Sequence, residues 1–178
     1  MNIPYRRYQY IYELLHHEGK FVQHGVAYDD VTGLTFDGFP LDPFTGELSG
    51  FARSWSSPTK EALHLHILSL GLSGNTLARH FLKSTTSNLN ETIIYLLEKK
   101  LIAYTEFEHS YPGFGGFLPW FVISEGKLRP AQDWINRVPA LDNGMYFWSI
   151  YQTMNVLKEY VRNVEVNHII LTPKLTLL

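Results

Sequence analysis

Apolar residues return at helical spacing along most of this chain. Tyr8, Ile11, Tyr12 and Leu15 predict a first helix over residues 6–18, which Gly19 stops. Ser57 before Pro58 predicts a second helix start, a capping residue followed by proline at the first helical position. From there Ala62, Leu63, Leu65, Ile67, Leu68 and Leu70 leave residues 58–70 without a polar face. That is the pattern of a helix buried all round, ended by Gly71 and Gly74. Residues 76–83 and 90–104 are also predicted helical, with the polar run 84–88 between them. In the longer one Ile93, Ile94, Leu97 and Leu101 form the stripe, while Glu91, Glu98, Lys99 and Lys100 are expected to face water, as on an outer helix. A short helix near residues 131–136 and a long one over 143–162 complete the set.

Two stretches depart from that period. Residues 21–50 hold Asp30-Val31-Thr32-Gly33, Asp37-Gly38-Phe39-Pro40 and Asp42-Pro43-Phe44-Thr45-Gly46, all turn-formers, and predict a β-hairpin-like segment. Residues 164–178 are apolar and β-prone with no obvious partner, an atypical tail to a single domain.

The stretch that does not fit either period is residues 111–144. Its first eleven residues contain three glycines, two prolines and five aromatic rings. Such a backbone is neither helix interior nor central strand, and so many rings are unusual for a surface connector. It reads either as an aromatic plug closing a helical core or as a binding surface presenting Tyr111, Phe114, Phe117 and Trp120. Residues 122–126 follow as an extended piece. Val138-Pro139-Ala140-Leu141 is extended as well, which places Asp142 at the N-cap of the long helix. A carboxylate there faces whatever the loop binds. Glu106 and Glu108, on the approach to the loop, are weaker acidic candidates.

The blocks Tyr-Pro-Gly-Phe-Gly-Gly-Phe-Leu-Pro-Trp at 111–120 and Val-Pro-Ala-Leu-Asp-Asn-Gly at 138–144 resemble those of the endo-β-1,2-glucanases and their glycoamylase-like relatives. Leu34-Thr35-Phe36-Asp37-Gly38 and residues 57–65 are similar to the same family, so the resemblance spans residues 28–160. It implies an all-α fold, an (α/α) barrel with the sugar cleft at one end of its inner helices. It further implies hydrolysis of a glucan by carboxylic acids, with no cofactor. By that resemblance Asp142 is the catalytic candidate, and Tyr111, Phe114, Phe117, Trp120, Glu106, Glu61 and His64 are substrate-binding candidates. A twelve-helix barrel needs about twice this length, so the chain reads as its front half, with the general acid expected beyond it. An open half-barrel exposes apolar inner helices, and self-association is the expected consequence.

Composition excludes more than it identifies. The net charge of −2 gives no electrostatic case for nucleic acid or an anionic membrane as partner. Without cysteine there is no disulfide framework, thiol nucleophile or thiolate metal site. No secretory signal and no membrane-length apolar run are read in the chain, a cytoplasmic pattern by default, although secreted relatives would carry a signal. Fifteen per cent aromatic residues suit neutral sugars.

Two rivals remain open at this point. Glu13-x-x-His16 and Glu61-x-x-His64, with Glu98 and Glu159, could form a helical di-metal carboxylate site. Alternatively, the chain is a carbohydrate-binding module without the general acid. The bland reading of His64 is a hydrogen-bonded core histidine.

Overall fold

The computed structural model describes residues 3–82 and 88–175. The fold is mostly helical: α1 Ile3–Gly19, α2 Pro58–Leu72, α3 Thr76–Phe81, α4 Leu89–Ser110 and α5 Ala140–Leu175. A small antiparallel sheet, in the order β1 Trp55–Ser56, β2 Phe121–Ser124, β3 Lys127–Pro130, joins them. Trp55 is in register with Val122, and Phe121 with Pro130.

The long helices fix the frame. Thr59 Oγ1 lies 4.0 Å from Met145 Sδ, and Ser69 Oγ lies 2.8 Å from Thr153 Oγ1. Contacts in the same chain order mean that α2 and α5 run parallel, with both N-termini at one end. Helix α4 runs the other way. Its Lys100 meets Glu61 near the start of α2, while Ile93 meets Gly71 near its finish. A Cβ on Gly71 would stand 2.7 Å from Leu82 Cδ1 and 3.0 Å from Ile93 Cδ1, so glycine is what lets α2 approach its neighbours there. Leu65, Leu68 and Leu72 of α2 pack with Ile93, Leu96 and Leu97 of α4, and Leu34, Phe121 and Leu128 close the core.

Several expectations change. The buried face of α4 is Ile93, Leu96, Leu97, Lys100, Ala103 and Phe107, so Lys100 lies inside and Leu101 is 65 % exposed. The helical period decides this: position 100 lies seven residues after Ile93 and seven before Phe107, on the core stripe. Helix α4 also continues to Ser110, which puts Glu106 and Glu108 on a helix. Helix α2 is not covered all round, because Leu63 and His66 are exposed. They border an apolar groove of about 550 Å3 shared with Met145, Trp148 and Tyr151 of α5. Helix α5 continues to Leu175, through most of the stretch expected to be an irregular β-prone tail; residues 176–178 lie outside the described residues. Aliphatic side chains serve helix and strand alike, and here the helix already under way is continued.

Residues 21–50 form turns with isolated bridges, Tyr28 to Thr35 and Leu41 to Leu48, the second across a hairpin-like turn. Two Asp-x-x-Thr-Gly turns recur in it. Asp29 Oδ2 accepts from the Val31 and Thr32 amides, and Asp42 Oδ1 accepts from those of Phe44 and Thr45. The first is anchored by Asp29 and not by Asp30. Among the described residues, no helix is long and apolar enough to cross a membrane.

Candidate functional site

Everything distinctive about residues 111–144 gathers at the end where α2 and α5 begin. After the 3-10 turn Pro112–Phe114, Gly115 and Gly116 both take positive φ, 59° and 83°, which glycine adopts without the Cβ clash. The chain is then tied down three times. The Gly116 amide donates to Glu108 Oε2 at 2.9 Å. Leu118 and Asn143 form a closed pair: the Leu118 amide donates to Asn143 Oδ1 at 2.9 Å, and Asn143 Nδ2 donates back to the Leu118 carbonyl at 2.8 Å. The same amide nitrogen also reaches the Pro139 carbonyl at 2.9 Å. Finally, the Trp120 indole N–H donates to Asp142 Oδ2 at 2.9 Å.

Asp142 therefore has a different post from the N-cap expected of it. Helix α5 starts at Ala140, and Asp142 stands within its first turn, half-buried, with its carboxylate turned to the loop. The N-terminal end of the helix favours the negative charge there. One oxygen is held by Trp120, and the other has no protein partner among the described residues.

The four aromatic candidates divide. Tyr111 and Phe114 pack on Phe107, with ring centroids 5.1 and 5.4 Å from it, and belong to the plug. Phe117 is partly exposed and meets Phe147 edge-on at 5.3 Å. Trp120 is stacked on Trp134 at 4.7 Å and tilted against Trp55 at 5.4 Å, and Arg137 lies 5.5 Å over the Trp134 ring. Pairing of β1 with β2 brings Trp55 there, and the Ala131 amide bonded to the Trp120 carbonyl brings the turn Gln132–Trp134. Glu106 is exposed and borders a shallow recess with His109, Tyr111 and Arg129.

Glu61 is fully buried beneath this end. Its Oε1 accepts from the Thr35 amide and hydroxyl, both at 2.6 Å. Its Oε2 accepts from Lys100 Nζ at 2.7 Å and from the Tyr104 hydroxyl. Tyr146, one turn along α5 from Asp142, hydrogen-bonds Tyr104 in turn. Burial alone would raise the Glu61 carboxyl; the Lys100 ammonium and the Thr35 donors outweigh it and hold it below its ordinary value. With both oxygens engaged, Glu61 ties the turn at residues 28–37 to α2 and α4.

His64, one turn further, is buried against Tyr28, with rings stacked 5.3 Å apart. Neither ring nitrogen has a hydrogen-bond partner among the described residues, unlike the satisfied core histidine expected. Burial, with the Lys100 charge nearby, pushes its pKa down to about 3. A histidine near 6.5 when unfolded and near 3 when folded binds more protons unfolded across that window. Stability is therefore complete above pH 6.5 and is lost as pH falls towards 3. Urea unfolding at pH 7 and pH 5 should show this loss in the native chain and a much smaller one in His64→Phe, which keeps a stacked ring but does not titrate.

The two Glu-x-x-His motifs do not meet. His16 of α1 faces His80 of α3, with ring centroids 6.5 Å apart, while Glu61 is enclosed by Lys100, Thr35 and Tyr104. Among the described residues no three His, Asp or Glu side chains gather as a metal-binding set.

Sequence reasoning missed Asn143, Lys100, Trp55 and Trp134. Lys100 carried a readable signal, its place on the α4 stripe; the other three depend on contacts between distant segments.

Residues 34–172 match the family described as endo-β-1,2-glucanase SGL. This chain belongs to that family. A solved structure of the endo-β-1,2-glucanase from Talaromyces funiculosus in complex with sophorose superposes with a TM-score of 0.76 at 33 % identity. A second, of a glutamate-to-glutamine mutant of that enzyme with β-1,2-glucan, gives the same values. Both matches cover 86 % of this chain and 34 % of the solved one, so the chain spans about a third of the length of that family member. No curated protein sequence matches the chain. The glycoside hydrolase family read from the loop blocks is thus the right one, and it is reached independently through sequence and fold.

Proposed function

We propose that this chain supplies the glucan-facing end of an (α/α) barrel that hydrolyses β-1,2-glucan, with Asp142 as one of its working carboxylates. The observation that carries this is the Trp120–Asp142 hydrogen bond, within a clamped aromatic loop in a chain of the endo-β-1,2-glucanase family. The parallel pair α2 and α5, flanked by antiparallel α4, suits inner and outer layers of a barrel. Glycoside hydrolysis uses two carboxyl groups across the scissile bond, one protonated and one ionised. Asp142 holds the Trp120 indole with one oxygen and, among the described residues, leaves the other free, suited to accept from a sugar hydroxyl or from water. Phe117, Trp55 and the exposed edge of the Trp120–Trp134 stack are the sugar-facing rings, while Tyr111 and Phe114 pack on Phe107.

A second reading is that the chain alone binds β-1,2-glucan without cleaving it. It is favoured by the open groove between α2 and α5, a surface suited to further barrel helices or to self-association.

Tryptophan fluorescence titrated with β-1,2-glucan oligosaccharides tests both readings. Asp142→Asn keeps an oxygen for the Trp120 indole and removes the charge. It should weaken binding roughly ten- to hundredfold, the worth of one charge-assisted hydrogen bond of about 1.5–3 kcal/mol, with melting temperature nearly unmoved. Asp142→Ala should also release the Trp120 indole and shift its emission. Full retention of binding in the Asn variant returns Asp142 to a structural role; no binding by the folded native chain returns the loop to a plug.

A further inference from the structure

What fixes the direction of the open Asp142 oxygen lies outside that residue. The χ2 torsion of an aspartate is broad and two-fold, so the carboxylate plane turns easily unless a neighbour holds it. The neighbour here is the Trp120 indole N–H, 2.9 Å from Oδ2. A tryptophan's χ2 is just as broad, so the donor needs a constraint of its own.

That constraint is a stack. Trp134 lies against the face of Trp120, with ring centroids 4.7 Å apart and planes 28° from parallel. Trp55 meets the same indole at 5.4 Å and 48°. It reaches Trp120 on the diagonal of the β1–β2 pair, since its register partner Val122 lies two residues further on. The nearer and more parallel ring, Trp134, sets the plane. The backbone delivers it there: β3 ends at Pro130, the Ala131 amide donates to the Trp120 carbonyl at 2.8 Å, and the Trp134 amide donates to the Ala131 carbonyl at 2.7 Å. Arg137, 5.5 Å over the Trp134 ring, steadies it from within the same segment.

The stack stands apart from the core. Trp55 is 40 % exposed, and Trp120 and Trp134 are half-buried. Three of the chain's four tryptophans therefore gather beside a single acid, outside the buried cluster that holds the helices together. An aromatic pair shifts an equilibrium by roughly two- to tenfold beyond its buried area, enough to select one setting of an indole.

We propose that Trp134 is a positioning residue: by stacking on Trp120 it aims the indole N–H at Asp142, and so fixes the direction of the carboxylate oxygen left for the ligand. This rests on the reading of Asp142 as an acid that faces glucan, and adds to it a residue that works through another.

Solvent exchange of the Trp120 indole N–H, followed by NMR in 15N-labelled chain without ligand, tests the positioning. Asp142→Ala gives the rate with no acceptor. Trp134→Leu keeps apolar bulk and loses the flat face. It should exchange about tenfold faster than the native chain, the upper end of what one ring pair is worth, and Trp134→Phe should recover most of the difference. In the Asp142→Ala background, Trp134→Leu should add less than about twofold, since no bond is left to misdirect. Affinity for β-1,2-glucan oligosaccharides should fall about tenfold in Trp134→Leu and be largely restored in Trp134→Phe. Additive exchange effects, or native exchange in Trp134→Leu, would overturn the proposal. Loss of affinity in Trp134→Phe with exchange unchanged overturns it too, because Trp134 then touches the sugar itself. Full affinity in Trp134→Leu does the same, and so does a Trp134→Leu chain that fails to fold, which makes the stack part of the core. If the native chain binds no glucan, the glucan reading fails by itself, and the exchange measurements still decide whether Trp134 holds Trp120 on Asp142.

Discussion

Lys100→Met should destabilise the fold by about 3–5 kcal/mol, the usual cost of stranding one member of a buried ion pair. The stranded group is Glu61, 0 % exposed, left with a negative charge and only Thr35 and Tyr104 to stabilise it. Pairing the change with Glu61→Gln removes that charge while keeping an oxygen for the Thr35 amide. The double variant should therefore recover much of the loss, and the two single effects should fail to add. Urea midpoints at constant slope measure all three. Additive effects, or a Lys100→Met variant as stable as the native chain, would show that the pair is not what joins the residue 28–37 turn to α2 and α4.

The second large effect belongs to Asn143→Ala. Asn143 is 1 % exposed and satisfies both the amide and the carbonyl of Leu118. Alanine leaves two buried backbone groups without partners, at about 1–3 kcal/mol each. The damage should also reach function, because Asp142 and Trp120 flank the broken clamp. Hydrogen exchange at the Leu118 amide should rise from protected to fast, and glucan binding should fall with it. If the amide stays protected in the variant, another group holds the loop.

These two residues also mark how far the sequence could be read. Helix positions were legible because α2 is a long apolar run opened by Pro58 and α4 carries an apolar stripe. Lys100 was misread because a lysine on a helix is normally solvated, and the residue that makes its burial tolerable is Glu61, 39 positions earlier. The glycine loop announced itself through composition, and its rings and neighbouring acids were read as candidates from the same stretch. Their division of labour was not. Which rings plug and which stay open depends on Trp55 and Trp134, brought beside Trp120 by strand pairing and a 3-10 turn. Asp142 was singled out by its place in a block, yet its helix starts three residues earlier than an N-cap at Asp142 implies. Its partner, the Trp120 indole, is 22 positions away and invisible to local rules.

The clamped loop has a consequence for how recognition is driven. Gly116, Leu118 and Trp120, at every second position, each carry a hydrogen bond to a helix, so the segment has already surrendered its freedom during folding. An arriving ligand has little left to freeze, whereas ordering a slack side chain on binding costs about 0.5–1.5 kcal/mol. On the proposed glucan-binding reading, the sugar chain's own loss of torsional freedom is then the main opposing term. For that proposed ligand, the rigidity of this segment shifts the entropic burden of association from protein to polymer.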